Sequence, residues 1–133
     1  DVGPVTRGDL VSAFPFPNTL VMVKIKGSQL RAIFDHAAKM TNGVLQVSRG
    51  TRYVFKPGKG VHEIWVNDHM LEDKKLYWVA SSNFVVAGGD GYSEFEYAIE
   101  RIETEKNIVD IVEDFLVREK IYRPVYENRL ILR

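Results

Sequence analysis

The first part of the chain alternates apolar and polar residues in a way that predicts one strand followed by one helix. In TLVMVKIKG (residues 19–27), Val21, Val23 and Ile25 lie on one side of an extended chain, opposite two lysines. This period of two predicts a strand with one apolar face. Apolar residues then recur at spacings of three and four, which predicts a helix with a buried stripe: Leu30, Ile33, Phe34, Ala37 and Met40. An Asn-Gly pair at residues 42–43 predicts the end of that helix.

Capping signals predict a second and a third helix near the ends of the chain. Thr6, followed three residues later by Asp9, resembles a capping box and predicts a short helix that ends near Ala13. The two prolines of FPFPN (residues 14–18) then break regular structure. Asn107 is the predicted cap of the last helix, whose apolar stripe has helical spacing: Ile108, Ile111, Val112, Phe115 and Leu116.

The remaining apolar runs are short and predict strands. LQVSRGTRYVFKPGKG (residues 45–60) is interpreted as two short strands around an Arg-Gly turn at residues 49–50, as in a hairpin. VHEIWVND, KKLYWVASS and RLILR predict three more strands, at residues 61–68, 74–82 and 129–133. Strands outnumber helices, and their order is not a regular βαβ repeat. This favours an α+β fold with helices layered on mixed sheets.

Composition and charge exclude several classes of protein. The 133 residues suit one domain or part of a larger protein. Lys plus Arg and Asp plus Glu are both 18, and this zero net charge argues against a partner that is a nucleic acid polymer. There is no cysteine, which excludes disulfides and thiolate zinc sites. No apolar run approaches the roughly 18 residues of a membrane span.

The candidate chemistry lies in NFVVAGGDGY (residues 83–92). Glycines such as Gly88 and Gly89 let a ligand approach the backbone, and a carboxylate at Asp90 can accept two hydrogen bonds from a sugar diol. Phe16 and Phe84 have two interpretations: core residues, or two faces between which a flat ring stacks. Asn18 carries both a donor and an acceptor, as recognition of a base edge requires.

Other candidate sites favour structural interpretations. The spacing of His62 and His69 matches no familiar metal site, and His36 is expected at the surface. Ser81 and Ser82 lack the G-x-S-x-G context of a nucleophile. PGKG (residues 57–60) lacks the context of a phosphate loop and predicts a turn. Arg-Gly-Asp (residues 7–9) lies in a predicted helix rather than on a protruding adhesive loop.

Three stretches of the sequence, taken together, resemble the C-terminal domain of the 5'-nucleotidase family, which includes UDP-sugar hydrolases and 2',3'-cyclic nucleotide phosphodiesterases. They are GPVTRGDLVSAFPFPNTLVMVKIKGSQLRAIFDHA, LQVSRGTRYVF and LYWVASSNFVVAGGDGY, in the order and at the spacing of the family. The pairing of PF-x-N with NF-x-x-x-GGDG(Y/F) is specific to it. The remainder, residues 93–133, fits less distinctively.

The resemblance implies a role for each candidate residue. Phe16 and Phe84 correspond to the two phenylalanines that sandwich the nucleobase, and Asn18 to an asparagine that touches the base edge in some members. Asp90 corresponds to the aspartate that binds the ribose hydroxyls, and Gly88 and Gly89 let the sugar approach. No catalytic residue or metal ligand is expected in this chain.

The resemblance also implies what accompanies the chain. Hydrolysis in the family takes place in an N-terminal metallophosphatase domain with two divalent metal ions, which would be the partner of this chain. The G-G-I-R segment of the family, whose arginine meets the phosphate, is also absent. We therefore expect residues 1–133 to be an incomplete substrate-binding domain that binds weakly and hydrolyses nothing alone, in an extracytoplasmic parent enzyme.

Two alternatives to a nucleotide-recognition domain remain open. The substrate of the parent enzyme could be a sugar nucleotide, a cyclic nucleotide or a non-nucleotide ester. The chain could also be a non-catalytic binding or surface-interaction module with the same fold.

Overall fold

A computed structural model describes residues 3–40 and 45–133. The described residues form four α-helices: α1 (Arg7–Ala13), α2 (Gly27–Lys39), α3 (Asn83–Val86) and α4 (Ile108–Glu119). Seven strands are assigned in the same residues: β1 (Thr19–Lys26), β2 (Thr51–Lys56), β3 (Gly60–Val66), β4 (His69–Met70), β5 (Leu76–Ser82), β6 (Glu100–Asn107) and β7 (Leu130–Leu132). Two 3-10 turns lie between α3 and β6, at Gly89–Gly91 and Ser93–Tyr97. This architecture confirms the α+β class.

The strands form two separate sheets. The first sheet has the order β5-β1-β6, and β1 is antiparallel to both of its neighbours. The second sheet has the order β4-β3-β2-β7, in which β7 joins β2 in parallel. The first sheet is therefore antiparallel and the second is mixed, and the predicted C-terminal strand is confirmed.

The alternating pattern of β1 is confirmed as the centre of the core. Val21, Val23 and Ile25 are fully buried, whereas the lysines on the opposite face are not. Helix α2 covers this face with the apolar stripe that the sequence predicts. The predicted end of this helix, at residues 42–43, lies outside the described residues. The core is completed from α2, β2, β3 and α3 by Ile33, Phe34, Tyr53, Ile64 and Val86, among others. Burying each such aliphatic or aromatic side chain contributes about 1.5–3 kcal/mol.

The capping predictions are confirmed. The Thr6 side chain accepts a hydrogen bond from the Asp9 backbone N–H, and the Asp9 carboxylate accepts one from the Thr6 backbone N–H at 2.8 Å. Asn107 caps α4 through Val109 N–H at 2.9 Å. The Arg-Gly-Asp tripeptide therefore lies at the start of a helix, as expected, with the Asp9 side chain engaged in the cap. The hydrogen bonds with Thr6 lower the pKa of the Asp9 carboxyl group.

The predicted hairpin at residues 49–50 is wrong. Residues 45–48 are not a strand, and the hairpin joins β2 to β3 through the Pro-Gly-Lys turn at residues 57–59. Both turns contain a glycine with positive φ, Gly50 and Gly58, so local turn chemistry does not distinguish them. The PGKG stretch is a turn, as predicted.

Strand β6 was not predicted at all. Its sequence, ERIETEKN, has few apolar residues and lies mostly exposed at the edge of the first sheet.

Across the parts of the chain that the structure describes, no helix combines the length and apolarity that a membrane crossing requires.

Candidate functional site

The pairing of β1 with β5 brings the two candidate segments to one end of the first sheet. Phe16 and Asn18 immediately precede β1, and Asn83 and Phe84 immediately follow β5. The strands are antiparallel, with Leu20 opposite Ser82, so the start of β1 lies beside the end of β5. The Thr19 N–H donates to the Asn83 side-chain carbonyl at 3.0 Å. This hydrogen bond fastens the two segments to each other.

Both candidate phenylalanines are exposed. Phe16 has 69% of its surface accessible and Phe84 has 50%, whereas Phe34, Phe55 and Phe95 are at most 5% exposed. Of the two interpretations of these rings, the core interpretation is therefore excluded. Both rings are thus accessible to a ligand, and Phe84 lies beside the glycine turn.

The Phe84 ring lies against the backbone of Gly89. A Cβ atom at Gly89 would be 2.6 Å from Cε1 and from Cζ of the Phe84 ring, and 2.6 Å from the Phe84 carbonyl oxygen. Only glycine fits this contact. Helix α3, which carries Phe84, begins with a cap in which the Ser82 hydroxyl accepts from Val85 N–H at 3.2 Å. Ser82 therefore has a structural role as a helix cap. Phe84 is positioned both by this capped helix and by its contact with Gly89.

The glycine turn places a carboxylate on a left-handed segment of backbone. Gly88 has φ 89°, Asp90 has φ 54° and ψ 22°, and Gly91 has φ 81°. Asp90 is exposed. Its carboxylate has no hydrogen-bond partner within residues 3–40 and 45–133. It is therefore free to accept hydrogen bonds from a ligand.

The structure brings His36 to this turn, which sequence reasoning missed. His36 Nε2 lies 2.8 Å from the Asp90 carbonyl oxygen. The imidazole also packs edge-on against Tyr92, with ring centroids 4.8 Å apart. His36 is thus half-buried and engaged, rather than the free surface residue that its position outside the helix stripe predicts. Helical spacing carries no signal for such a contact, because its partner lies 54 residues away.

Asn18 is half-buried between the site and α4. Its backbone N–H donates to the Phe16 carbonyl at 2.8 Å, and its carbonyl accepts from Ile108 N–H at 3.0 Å. Its side-chain amide makes no hydrogen bond with the described part of the chain. The backbone of Asn18 is thus fixed while its donor and acceptor remain available.

The other candidate residues do not form a second site. His62 and His69 are not buried. Over the ranges that the structure describes, no group of three or more His, Asp or Glu residues is placed to hold a metal ion. A cleft of about 1090 Å³ lies between α1 and α4, but none of the six candidate residues lines it. The candidate site therefore lies outside this cleft.

Comparison with known proteins agrees with this α+β architecture of helices on two β-sheets. The family model of the 5'-nucleotidase C-terminal domain matches residues 1–97 of this chain. The chain therefore belongs to the 5'-nucleotidase C-terminal domain family. The resemblance carried by the PF-x-N and GGDG motifs is confirmed at the level of the family.

Individual relatives extend the likeness beyond residue 97. A 5'-nucleotidase of Diplobatis ommata is 28% identical over 145 residues, covering 97% of this chain and 25% of that protein. A snake venom 5'-nucleotidase of Naja atra is 32% identical, covering 97% of this chain and 27% of that protein. The crystal structure of a 5'-nucleotidase precursor from Thermus thermophilus matches with a TM-score of 0.89 and 29% identity, over 98% of this chain and 28% of that one. The chain thus spans about a quarter of the length of these relatives.

Proposed function

We propose that this chain is the nucleotide-recognition domain of a metal-dependent 5'-nucleotidase-type phosphoesterase. One observation carries the proposal: two exposed phenylalanines lie on segments that the Asn83–Thr19 hydrogen bond joins. The glycine turn that follows Phe84 carries a carboxylate that has no partner among the described residues. The names of the relatives, which are 5'-nucleotidases, support nucleotides as the ligand.

The base would stack between Phe16 and Phe84. Stacking of a base on an aromatic side chain is worth about 1–3 kcal/mol and tolerates any base, because every base has a π face. The fixed backbone of Asn18 would present its amide to the edge of the base. Since stacking gives affinity and the amide gives selectivity, base preference would depend mainly on Asn18.

The ribose would be read by Asp90. Its carboxylate can accept hydrogen bonds from both hydroxyls of a cis diol, and hydrogen bonds to a charged group contribute about 1.5–3 kcal/mol. Gly88 and Gly89 leave the turn without side chains, so that the sugar can approach the backbone. A 2'-deoxyribose has only the 3'-hydroxyl of this pair, so it would donate one of these two hydrogen bonds to the carboxylate.

Hydrolysis is assigned to the N-terminal catalytic domain of the parent enzyme, where two divalent metal ions would activate water. The described residues of this chain offer no ligand set for these ions, so no chemical step is assigned to them. The role of the chain is to bind and orient the nucleotide for that domain. A relative from snake venom is consistent with an extracytoplasmic parent protein.

A titration of the chain with adenosine and with 2'-deoxyadenosine, followed by amide NMR shifts, tests the proposal. We expect shifts clustered at Phe16, Asn18, Phe84 and Asp90, with adenosine bound more tightly. Phe84→Ala should lower the affinity for both ligands roughly 5- to 150-fold, as loss of one stacking face implies.

Replacement of the carboxylate tests the sugar assignment. Asp90→Asn should weaken adenosine binding more than 2'-deoxyadenosine binding, because the deoxynucleoside has only the 3'-hydroxyl to lose as a partner of the carboxylate. Asp68→Asn is a matched control, because Asp68 is also exposed and also has a left-handed backbone, with φ 61°. Tyr126→Ala, which removes an aromatic residue that is 98% exposed, is the control for Phe84.

Two outcomes would contradict the proposal. Equal losses for both nucleosides in Asp90→Asn would remove the diol assignment. An absence of shifts at all four positions, in a chain shown to be folded, would reject nucleoside binding by this chain and would favour a surface-interaction module.

A further inference from the structure

We propose that His36 is a positioning residue for sugar recognition: it holds the Asp90 peptide so that the carboxylate faces the ligand. His36 belongs to α2, outside the two segments that carry the candidate binding residues. The inference rests on the proposed function, because it assigns to His36 the discrimination between ribose and 2'-deoxyribose at the same site.

The geometry of the turn requires such a support. Asp90 is an L-residue with φ 54°, in the left-handed region that non-glycine residues seldom adopt. Gly88 and Gly91 on either side are also left-handed. Residues held in such conformations persist only where surrounding contacts fix them. Two backbone hydrogen bonds close the turn, from Gly91 N–H to the Gly88 carbonyl at 3.1 Å and from Tyr92 N–H to the Gly89 carbonyl at 3.3 Å. The Asp90 carbonyl itself is held by the 2.8 Å hydrogen bond to His36.

The imidazole is itself fixed in place. It packs edge-on against Tyr92, which is only 6% exposed. Gly91 allows the approach, since a Cβ atom there would lie 3.0 Å from His36 Cε1 and 3.2 Å from Nε2. Three features therefore serve one contact: an aromatic neighbour, a glycine without a side chain and a carbonyl that faces the ring.

The chemistry of the contact defines which substitutions can replace it. A carbonyl oxygen only accepts hydrogen bonds, so His36 must carry a proton on Nε2. Both the neutral tautomer with that proton and the imidazolium satisfy this requirement. His36→Gln retains a donor at a similar distance from the backbone, whereas His36→Phe retains the aromatic packing on Tyr92 and loses the donor.

The experiment measures the ratio of the dissociation constants of 2'-deoxyadenosine and adenosine for the chain and its variants. In His36→Phe this ratio should fall roughly fivefold, the effect of one lost hydrogen bond, because adenosine uses both hydroxyls and loses more affinity than 2'-deoxyadenosine does. His36→Gln should restore most of the ratio. His62→Ala, which changes a histidine of β3 that is not buried, should leave it unchanged.

A measurement without ligand keeps the proposal testable if His36→Phe does not fold. The imidazole nitrogen spectrum of the unsubstituted chain should show the proton of His36 on Nε2. A neutral tautomer with the proton on Nδ1 would overturn the proposal.

The outcomes separate this inference from the proposed function. If the unsubstituted chain binds both nucleosides equally, ribose reading itself is rejected, and the role of His36 falls with it. If the chain discriminates and His36→Phe discriminates equally well, only the inference is overturned. If His36→Phe weakens both nucleosides by the same factor, His36 supports the whole site and not the sugar subsite, which also overturns the inference.

Discussion

Replacement of Gly89 by alanine tests how the Phe84 ring is held. The added methyl group would lie 2.6 Å from two ring carbons of Phe84 and 2.6 Å from its carbonyl oxygen, whereas ordinary van der Waals contact spans 3.4–4 Å. The ring can rotate away from the methyl group, because half of its surface faces solvent. The carbonyl oxygen belongs to the backbone of α3 and cannot move without the helix.

The expected cost follows from these two contacts. Overpacking of this kind lowers the free energy of unfolding by about 1–3 kcal/mol. Displacement of the ring should in addition remove part of the stacking face, so adenosine affinity should fall by up to the same factor as in Phe84→Ala. Urea unfolding gives the first quantity and NMR titration the second.

Gly88→Ala is the matched control for this substitution. Gly88 has φ 89°, so a side chain there strains the backbone by about 1–2 kcal/mol. A Cβ atom at Gly88 would meet only Glu96 Oε1, at 3.7 Å. The two variants should therefore lose similar stability for different reasons, and Gly89→Ala should lose more adenosine affinity.

A double-mutant cycle separates the ring from the carbonyl. If the ring accounts for part of the strain, Gly89→Ala should cost less in a Phe84→Ala background, with a coupling energy above about 0.5 kcal/mol. The reasoning is refuted if Gly89→Ala unfolds at the same urea concentration as the unsubstituted chain. It is also refuted if Gly89→Ala and Gly88→Ala bind adenosine equally well.

Two further predictions concern the core. In Gly27→Ala the new Cβ atom would lie 2.1 Å from the Glu72 carbonyl oxygen, a backbone atom, so we expect urea unfolding to reveal a loss of at least about 3 kcal/mol. Burial is the main cause that raises the pKa of Tyr53 from 10.0 to about 12, so the protonated phenol stabilises the fold fully below pH 10. That stability should be lost between pH 10 and 12 at about 1.4 kcal/mol per pH unit. Tyr53→Phe has no phenol to ionise, so the difference in unfolding free energy between the unsubstituted chain and this variant should shrink over the same range. A difference independent of pH would contradict the prediction.

Local sequence signals predicted the elements whose structure is determined locally. The alternation in β1 specifies its buried face, because a one-residue shift would move Val21, Val23 and Ile25 to the other side of the sheet. The caps at Thr6 and Asn107 act within three residues of the chain, so they are visible in the sequence. The glycine turn was also predictable, because few residues other than glycine adopt its backbone conformation.

The elements that were missed depend on contacts between distant parts of the chain. Strand β6 has almost no apolar pattern, and backbone pairing with β1 fixes its position. The hairpin was placed at the wrong glycine because the pairing of β2 with β3, and not the turn itself, selects the site of reversal.

The site was predicted as a set of residues but not as an arrangement. The motifs identified Phe16, Phe84 and Asp90, and the structure adds that both rings are exposed. The side chain of Asn83 and the imidazole of His36 were not predicted in their holding roles, because each acts on a partner more than 50 residues away.

The register of β1 against β5 has a consequence for how the chain folds. The two halves of the candidate site meet only after Leu20 has paired with Ser82, across a long intervening stretch of chain. Such non-local pairing is slow compared with local structure formation, so the site is expected to be absent from partly folded states. A nucleoside that needs both halves would then bind only the completed sheet and would stabilise it by mass action. Its binding would be a direct report on whether the first sheet has closed, which makes the ligand a probe of folding as well as of function.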